Sequence, residues 1–153
     1  MSAALAAPAH PTVDTLHRLA TRLGYAGLVP FVLGAALSLM VREDAHPYVV
    51  LGLAAYATAI LSFLGGIHWG LAMLARSAEP QAYVWGVVPT LVAALAVLMP
   101  AYAGLVIDGL MLIVCYLVDR KVYPRHGLAS WLTLRFRLTL VATLACFLAA
   151  ASA

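Results

Sequence analysis

The stretch YVVLGLAAYATAILSFLGGIHWGLAMLA, residues 48 to 75, determines the class of this protein. It contains no Asp, Glu, Lys or Arg, and it exceeds the about 20 residues that a helix needs to cross the hydrocarbon core of a bilayer. The whole chain has this character, because 65% of its 153 residues are hydrophobic, 10% are charged and the mean hydropathy is +0.99. A soluble domain carries about 25% charged residues. The sequence therefore predicts an integral membrane protein.

Apolar runs of this length predict an all-α, polytopic membrane helical bundle with five transmembrane helices. The predicted spans lie near residues 24–41, 48–75, 82–99, 101–118 and 136–152. Prolines support three of the starts, because the first turn of a helix has no backbone hydrogen bond to lose: Pro47, Pro80 and Pro100. We therefore expect a single five-helix domain over residues 24–153.

The preceding residues, 1–23, are predicted to form a cytoplasmic segment of different character. Leucines at 16, 19 and 23 repeat at helical spacing, opposite a basic face that carries His17, Arg18 and Arg22. This pattern is typical of a short helix lying at the membrane surface. A solvated lead-in without such a helix is the alternative.

The basic residues predict the direction of the bundle. With five spans, one side receives eight of the nine: Arg18, Arg22, Arg76, Arg120, Lys121, Arg125, Arg135 and Arg137. The other side receives Arg42 alone. Positive residues concentrate on the cytoplasmic side, so we expect the N-terminus in the cytoplasm and the C-terminus outside, in a multi-pass protein of the bacterial inner membrane. This asymmetry explains the pI near 9.1 without a nucleic-acid partner.

Small residues recur every four positions along the second span: Ala54, Thr58, Ser62, Gly66 and Gly70. Small side chains let helix backbones approach closely in a membrane, so this ridge predicts helix packing within the bundle, or else against another subunit or copy. His68 lies about 160 degrees around the helix from Gly66 and Gly70. We therefore expect the second helix at the centre of the bundle.

Two ionisable side chains are predicted inside the spans, His68 and Asp108, and such residues are functional candidates because burying them is costly. Three polar side chains are predicted at the same depth in the membrane as Asp108 and are its expected partners: Tyr56, Thr90 and Thr143. His68 should lie more than roughly 10 Å from Asp108 along the membrane normal, too far for direct pairing. Each residue has a structural interpretation, as a hydrogen-bonded packing group, and a functional one, in handling protons or a solute. An intersubunit contact is a third interpretation for Asp108.

The segment DRKVYPRHGLASWLTLRFR, residues 119–137, concentrates basic residues beside the membrane. It is predicted to anchor the bundle through the positive-inside effect. A sharper hypothesis is contact with anionic lipid or a partner protein through Trp131, Arg135 and Arg137.

No motif predicts catalysis, a metal or a cofactor. The sequence lacks a Gly-x-Ser-x-Gly elbow, a P-loop, a His-Glu-x-x-His motif and a dinucleotide fingerprint. Only one histidine is predicted at membrane depth, and the two cysteines, Cys115 and Cys146, fall in separate spans, so no haem or zinc site is expected.

Three segments resemble a family of small multi-pass proteins that is catalogued as a domain of unknown function. They are SFLGGIHWG at 62–70, CYLVDRK at 115–121 and WLTLRFRLT at 131–139. The family is widespread in proteobacterial inner membranes and has a mitochondrial transmembrane relative in animals. The resemblance covers the chain from about residue 25 onward and implies a helical membrane protein, without an activity or catalytic residues to transfer.

These features favour a non-enzymatic accessory or assembly protein that associates with membrane lipids and with a larger membrane complex or further copies of itself. The alternative is a small proton-coupled transporter that uses Asp108 and His68. A third hypothesis is an intramembrane enzyme that acts on a lipid or a quinone, but no set of catalytic residues in the sequence supports it.

Overall fold

The computed structural model describes residues 12–76 and 79–153, and every regular element in those ranges is a helix. The main helices are α1 (Val13–Ala26), α2 (Val29–Met40), α3 (His46–Leu74), α4 (Pro80–Val97), α5 (Ala101–Val122) and α6 (Leu132–Ala151). Two short 3-10 helices, Tyr123–His126 and Ala129–Trp131, connect α5 to α6.

Five helical segments are long and apolar enough to cross a membrane: Val13–Met40, His46–Leu74, Pro80–Val97, Ala101–His126 and Ala129–Ala151. The predicted all-α bundle of five membrane helices is thereby confirmed. Short connections bring the end of α3, the start of α4, the end of α5 and the start of α6 to one end of the bundle. We call it the basic end, because it carries Arg76, Arg120, Lys121, Arg125, Arg135 and Arg137. That the basic end faces the cytoplasm stays a prediction.

The first span is built from two helices. α1 ends at Ala26 and α2 begins at Val29, with Pro30 in the first turn of α2, where proline is tolerated. No residue of α1 is buried, and its end packs onto α6, where Gly24 faces the side chains of Leu134 and Leu138. α1 also runs across the predicted boundary between residues 23 and 24. The placement of this helix at a membrane surface stays a prediction.

α3 lies among the other helices, as predicted, although the small-residue ridge on which that prediction partly rested is open at Gly66 and Gly70. It contacts α2, α4, α5 and α6. Its buried side follows steps of three and four residues, the spacing that keeps one helix face directed inward. That side includes Val50, Ala54, Ala57, Leu61, Leu64, His68 and Ala72.

The predicted ridge of small residues does not pack within the bundle along its whole length. Ala54 is buried, but Gly66 and Gly70 are exposed, and a Cβ added at either glycine would meet nothing within 4 Å. A step of four residues turns a helix by about 40 degrees, so four steps rotate the row by about 160 degrees. Thr58 and Ser62, half-buried, lie on the way. The prediction of packing inside the bundle is therefore wrong for Gly66 and Gly70.

The close approach of α3 to α4 occurs instead at the neighbouring glycine, Gly65. A Cβ on Gly65 would overlap the backbone carbonyl oxygen of Gly86, and a Cβ on Gly86 would overlap the ring of Trp69. The Trp69 indole N–H donates to the carbonyl oxygen of Tyr83 at 2.7 Å. The glycine pair and this hydrogen bond fix the register of α3 against α4 near the basic end.

Both helices that flank the basic connection are longer than predicted. α5 continues to Val122 instead of ending near residue 118, and α6 begins at Leu132 instead of near 136. The charges of the intervening segment suggested a loop, but two of them pair with each other inside the bundle. As a result Asp119 and Arg135 are helical residues that face the protein interior.

Candidate functional site: a buried ionic cluster

Three ionisable side chains from three different helices meet near the basic end. The Oδ1 atom of Asp119 lies 2.8 Å from His68 Nε2, and its Oδ2 atom lies 2.7 Å from Arg135 Nε. An ionised carboxylate can only accept hydrogen bonds, so both nitrogens donate to Asp119. The side chains of His68, Asp119 and Arg135 are 6%, 3% and 12% exposed. We call this group the buried ionic cluster.

Each member lies on the inward face of its helix. On α5, Leu112, Cys115 and Asp119 follow steps of three and four residues and are all buried. On α6, Arg135 is followed by Thr139 at the same spacing, and on α3 His68 continues the buried side described above. The apolar pattern of each helix therefore directs one ionisable group toward a common point.

Aromatic rings enclose His68. The Trp85 ring lies 6.4 Å from the imidazole and perpendicular to it, and the Tyr123 ring lies 6.3 Å away. Tyr123 is itself buried and lies in the first 3-10 helix, directly after α5. An apolar wall lowers the local dielectric constant, which strengthens the interactions between the charges inside it.

The charges of the cluster sum to zero when His68 is neutral, because Asp119 balances Arg135. The arrangement clamps α3, α5 and α6 together. Through Asp119, charged groups of α3, α5 and α6 are joined at one point.

The residues predicted for lipid or partner contact have different surroundings. Arg135 does not present its charge at the surface of the bundle, because its guanidinium pairs with Asp119 inside it. Arg137 is exposed and donates to the hydroxyl of Tyr25 at 3.3 Å, which links α6 to α1. Trp131 is half-buried, with its ring 4.5 Å from that of His17. Contact of Arg137 and Trp131 with lipid or a partner stays a prediction.

Asp108 forms a second polar position, separate from the cluster. Its side chain has no exposed surface, and neither carboxylate oxygen has a hydrogen-bond partner among the described residues. Asp108 and Asp119 lie on the same face of α5 but about 16 Å apart along its axis. Burying a carboxyl group without a hydrogen bond is costly, so protein contacts alone do not account for this residue.

The three partners predicted for Asp108 are wrong. Tyr56 donates to the carbonyl oxygen of Gly27 at 2.9 Å, and Thr143 donates to that of Gly109 at 3.4 Å. Thr90 is half-buried on α4 and makes no hydrogen bond to Asp108. Similar depth in the membrane was therefore not enough to predict the partners of Asp108, because the hydroxyls of Tyr56 and Thr143 donate to backbone carbonyl oxygens instead.

Asp119 was absent from the predicted site, although a signal for it exists. It follows Asp108 by eleven residues, which is close to three full helical turns, so the two share a face with buried Leu112 and Cys115. Extending the helix pattern across the charges would have placed Asp119 inside. Within residues 12–76 and 79–153, no three His, Cys, Asp or Glu side chains gather closely enough to hold a metal ion.

Comparison with known proteins gives one family and one curated relative. The family model described as "Protein of unknown function (DUF3429)" matches residues 16–151. Transmembrane protein 69 of Xenopus tropicalis is 40% identical over 131 residues, which cover 78% of this chain and 49% of that protein. The chain thus spans about half the length of this relative. No solved structure gives a significant match.

Proposed function

Because the chain belongs to the DUF3429 family of proteins of unknown function, we propose a role for it from its own geometry. We propose a non-enzymatic accessory or assembly protein of the bacterial inner membrane, which docks against a transmembrane helix of a larger membrane complex. The N-terminus lies in the cytoplasm and the C-terminus outside in this proposal. The observation that carries it is the outward side of α3.

Five small residues form that side, which we call the outer small face: Gly52, Ala55, Ala59, Gly66 and Gly70. All five are exposed, and they lie within roughly 60 degrees of one another around the helix. A Cβ added at any of its three glycines would meet nothing within 4 Å. The face is thus a shallow channel along α3, without a neighbouring helix among the described residues. Phe63, which is 64% exposed and lies about 20 degrees around the helix from Gly70, borders the channel.

A channel of this kind suits a helix better than lipid. Association of helices in a membrane depends on van der Waals packing, and small residues allow the backbones to approach closely. The bundle itself uses this device about 100 degrees around α3 from Gly66, where Gly65 meets Gly86. The proposed occupant is therefore a transmembrane helix of another membrane protein, and self-association is an outcome that the test must separate from it.

The test isolates the full chain in mild detergent at native expression and compares it with Gly66→Leu and Gly70→Leu. Each leucine projects into open space, so the fold should tolerate it while the channel is blocked. A matched control is Leu91→Phe on α4. Its side chain is 58% exposed and lies about 140 degrees around α4 from Gly86, which meets α3.

The proposal expects a partner protein to co-purify with the unmodified chain and with the control, and to be lost from both leucine variants. Mass measurement of the isolated species distinguishes a different protein from a second copy. A lone species from native membranes, or an assembly that both leucine variants retain, would count against the accessory role.

A second candidate function rests on Asp108. A buried carboxyl group without a protein partner is a feature of proton-coupled carriers, in which it alternates between protonation states. Proteoliposomes loaded with a pH-sensitive dye test it by measuring proton uptake with the unmodified chain and with Asp108→Asn. Carrier function requires that the variant folds normally and loses the flux; equal flux in both, or flux in neither, would exclude this role for Asp108.

A further inference from the structure

A cavity of about 430 Å³ lies between the junction of α1 with α2 and the helices α3, α5 and α6. Sites for small molecules typically have volumes of about 300–1,000 Å³. The walls are mainly apolar and include Leu23, Phe31, Phe63, Leu64, Trp131 and Leu138. Leu23 and Phe63 are 63% and 64% exposed, so the cavity reaches the lipid-facing surface of the bundle.

Two polar side chains, Arg135 and Thr139, line this apolar cavity from α6. Arg135 Nη2 and Thr139 Oγ1 are both buried, and neither has a hydrogen-bond partner among the described residues. Thr139 as a whole is 6% exposed. The ionic cluster does not use these atoms, because Arg135 binds Asp119 through Nε. Buried polar atoms are nearly always hydrogen-bonded, so two unpartnered donors on side chains that line one cavity point to a ligand. Neither atom is exposed to the cavity in this structure, so the ligand reaches them through a change of side-chain rotamer.

The charge of the site restricts the ligand's head. Asp119 already neutralises Arg135 at 2.7 Å, so an anion in the cavity would add a negative charge to a balanced, buried pair. A carbonyl oxygen has two lone pairs and no charge, and can accept from both the guanidinium N–H and the threonine hydroxyl. The rest of the cavity is lined by apolar side chains, so the ligand needs an apolar body, which can pack against the flat aromatic rings.

We propose that this cavity binds an uncharged, single-chain amphiphile whose carbonyl oxygen accepts hydrogen bonds from Arg135 and Thr139. Its apolar body lies among the leucine and aromatic side chains and leaves toward the lipid past Phe63. Two membrane sources offer this chemistry: the ring carbonyl of a prenylated quinone and the ester carbonyl of a monoacyl glycerolipid. The site uses none of the five residues of the outer small face, so it does not depend on the proposed docking function.

The test measures equilibrium binding of three probes to the purified full chain in detergent: a short-chain prenylated quinone, a monoacylglycerol, and the free fatty acid of equal chain length at a pH where it is ionised. At least one uncharged probe should bind saturably at one molecule per chain. Thr139→Val keeps the shape but removes the hydroxyl, and should weaken that binding by roughly tenfold. Thr143→Val is the control, because Thr143 lies one turn away on α6 and donates to Gly109.

A second variant covers the case in which Thr139→Val fails to fold. Ala20 is exposed on α1 and lines the cavity, so Ala20→Phe should obstruct the entrance, abolish binding and leave the bundle intact. Binding of the quinone alone assigns the ring carbonyl, and binding of the monoacylglycerol alone assigns the ester. Absence of saturable binding by both uncharged probes, tighter binding of the ionised fatty acid, or unchanged affinity in a folded Thr139→Val or Ala20→Phe variant would overturn the proposal.

Discussion

Replacing Asp119 by asparagine should destabilise the bundle more than any other single charge change among the described residues. Asp119 accepts from His68 at 2.8 Å and from Arg135 at 2.7 Å, and its side chain is 3% exposed. The variant removes the only formal negative charge of the cluster and leaves the Arg135 guanidinium buried without compensation. Removing one partner of a buried ion pair typically costs about 3–5 kcal/mol.

We expect the loss of stability caused by Asp119→Asn to lie near the lower end of that range. The asparagine carbonyl can still accept from Arg135, and its amide can donate to a His68 tautomer that carries the hydrogen on Nδ1. The hydrogen bonds survive in part while the charge interaction is lost, so we expect a loss of about 3 kcal/mol in the free energy of unfolding. Asp119→Ala removes both hydrogen bonds as well and should cost more.

Unfolding by sodium dodecyl sulfate in mixed micelles, followed by circular dichroism, measures this loss. Asp44→Asn is the matched control, because Asp44 pairs with Arg42 in an exposed contact whose side chains are 79% and 92% accessible. It should leave the unfolding curve unchanged, since exposed ion pairs contribute little. In the double variant with Arg135→Gln the two losses should not add, because both act on one interaction. Equal curves for Asp119→Asn and Asp44→Asn would show that the cluster does not hold the helices together.

Two further predictions concern helix contacts. Gly65→Ala should lower the free energy of unfolding by about 1–3 kcal/mol, because its Cβ would overlap the Gly86 backbone, whereas Gly66→Ala should leave it equal or raise it slightly. The same micelle titration compares the two neighbours, and equal effects would disprove the assigned α3–α4 contact. Tyr56→Phe removes the hydrogen bond to Gly27 and should cost about 1 kcal/mol, with faster proteolysis between α1 and α2 as the local readout. Unaltered stability and proteolysis would show that this bond does not hold the α1–α2 junction.

The number and class of helices could be predicted from the sequence because a spanning helix needs only a long apolar run. The spacing from Asp108 and Cys115 indicates the inward face of Asp119, but its partners could not be predicted. The ion pair that keeps Asp119 and Arg135 within α5 and α6 depends on tertiary contacts. The same limit applies to Asp108, whose surroundings were inferred from depth alone. Depth fixes one coordinate, while the rotation of each helix decides which side chains meet.

The small residues of α3 show that the rotation of a helix decides which of two neighbouring glycines packs inside the bundle. Gly65 and Gly66 are adjacent in sequence, yet one packs against α4 and the other faces outward. A four-residue repeat drifts by about 40 degrees at each step, so it cannot stay on one face over the length of a membrane span. Because Ala54 lies on the buried side, this drift is sufficient to place Gly70 on the outside of the bundle.

Photocrosslinking from the outer small face in native membranes would examine the proposed docking function. A photoreactive amino acid at Ala59, which is exposed in the middle of this face, is compared with one at Leu91 on α4. If a partner helix occupies the channel, Ala59 should give a discrete crosslink to another membrane protein and Leu91 should give none. Crosslinks to lipid alone at both positions would contradict the proposed role.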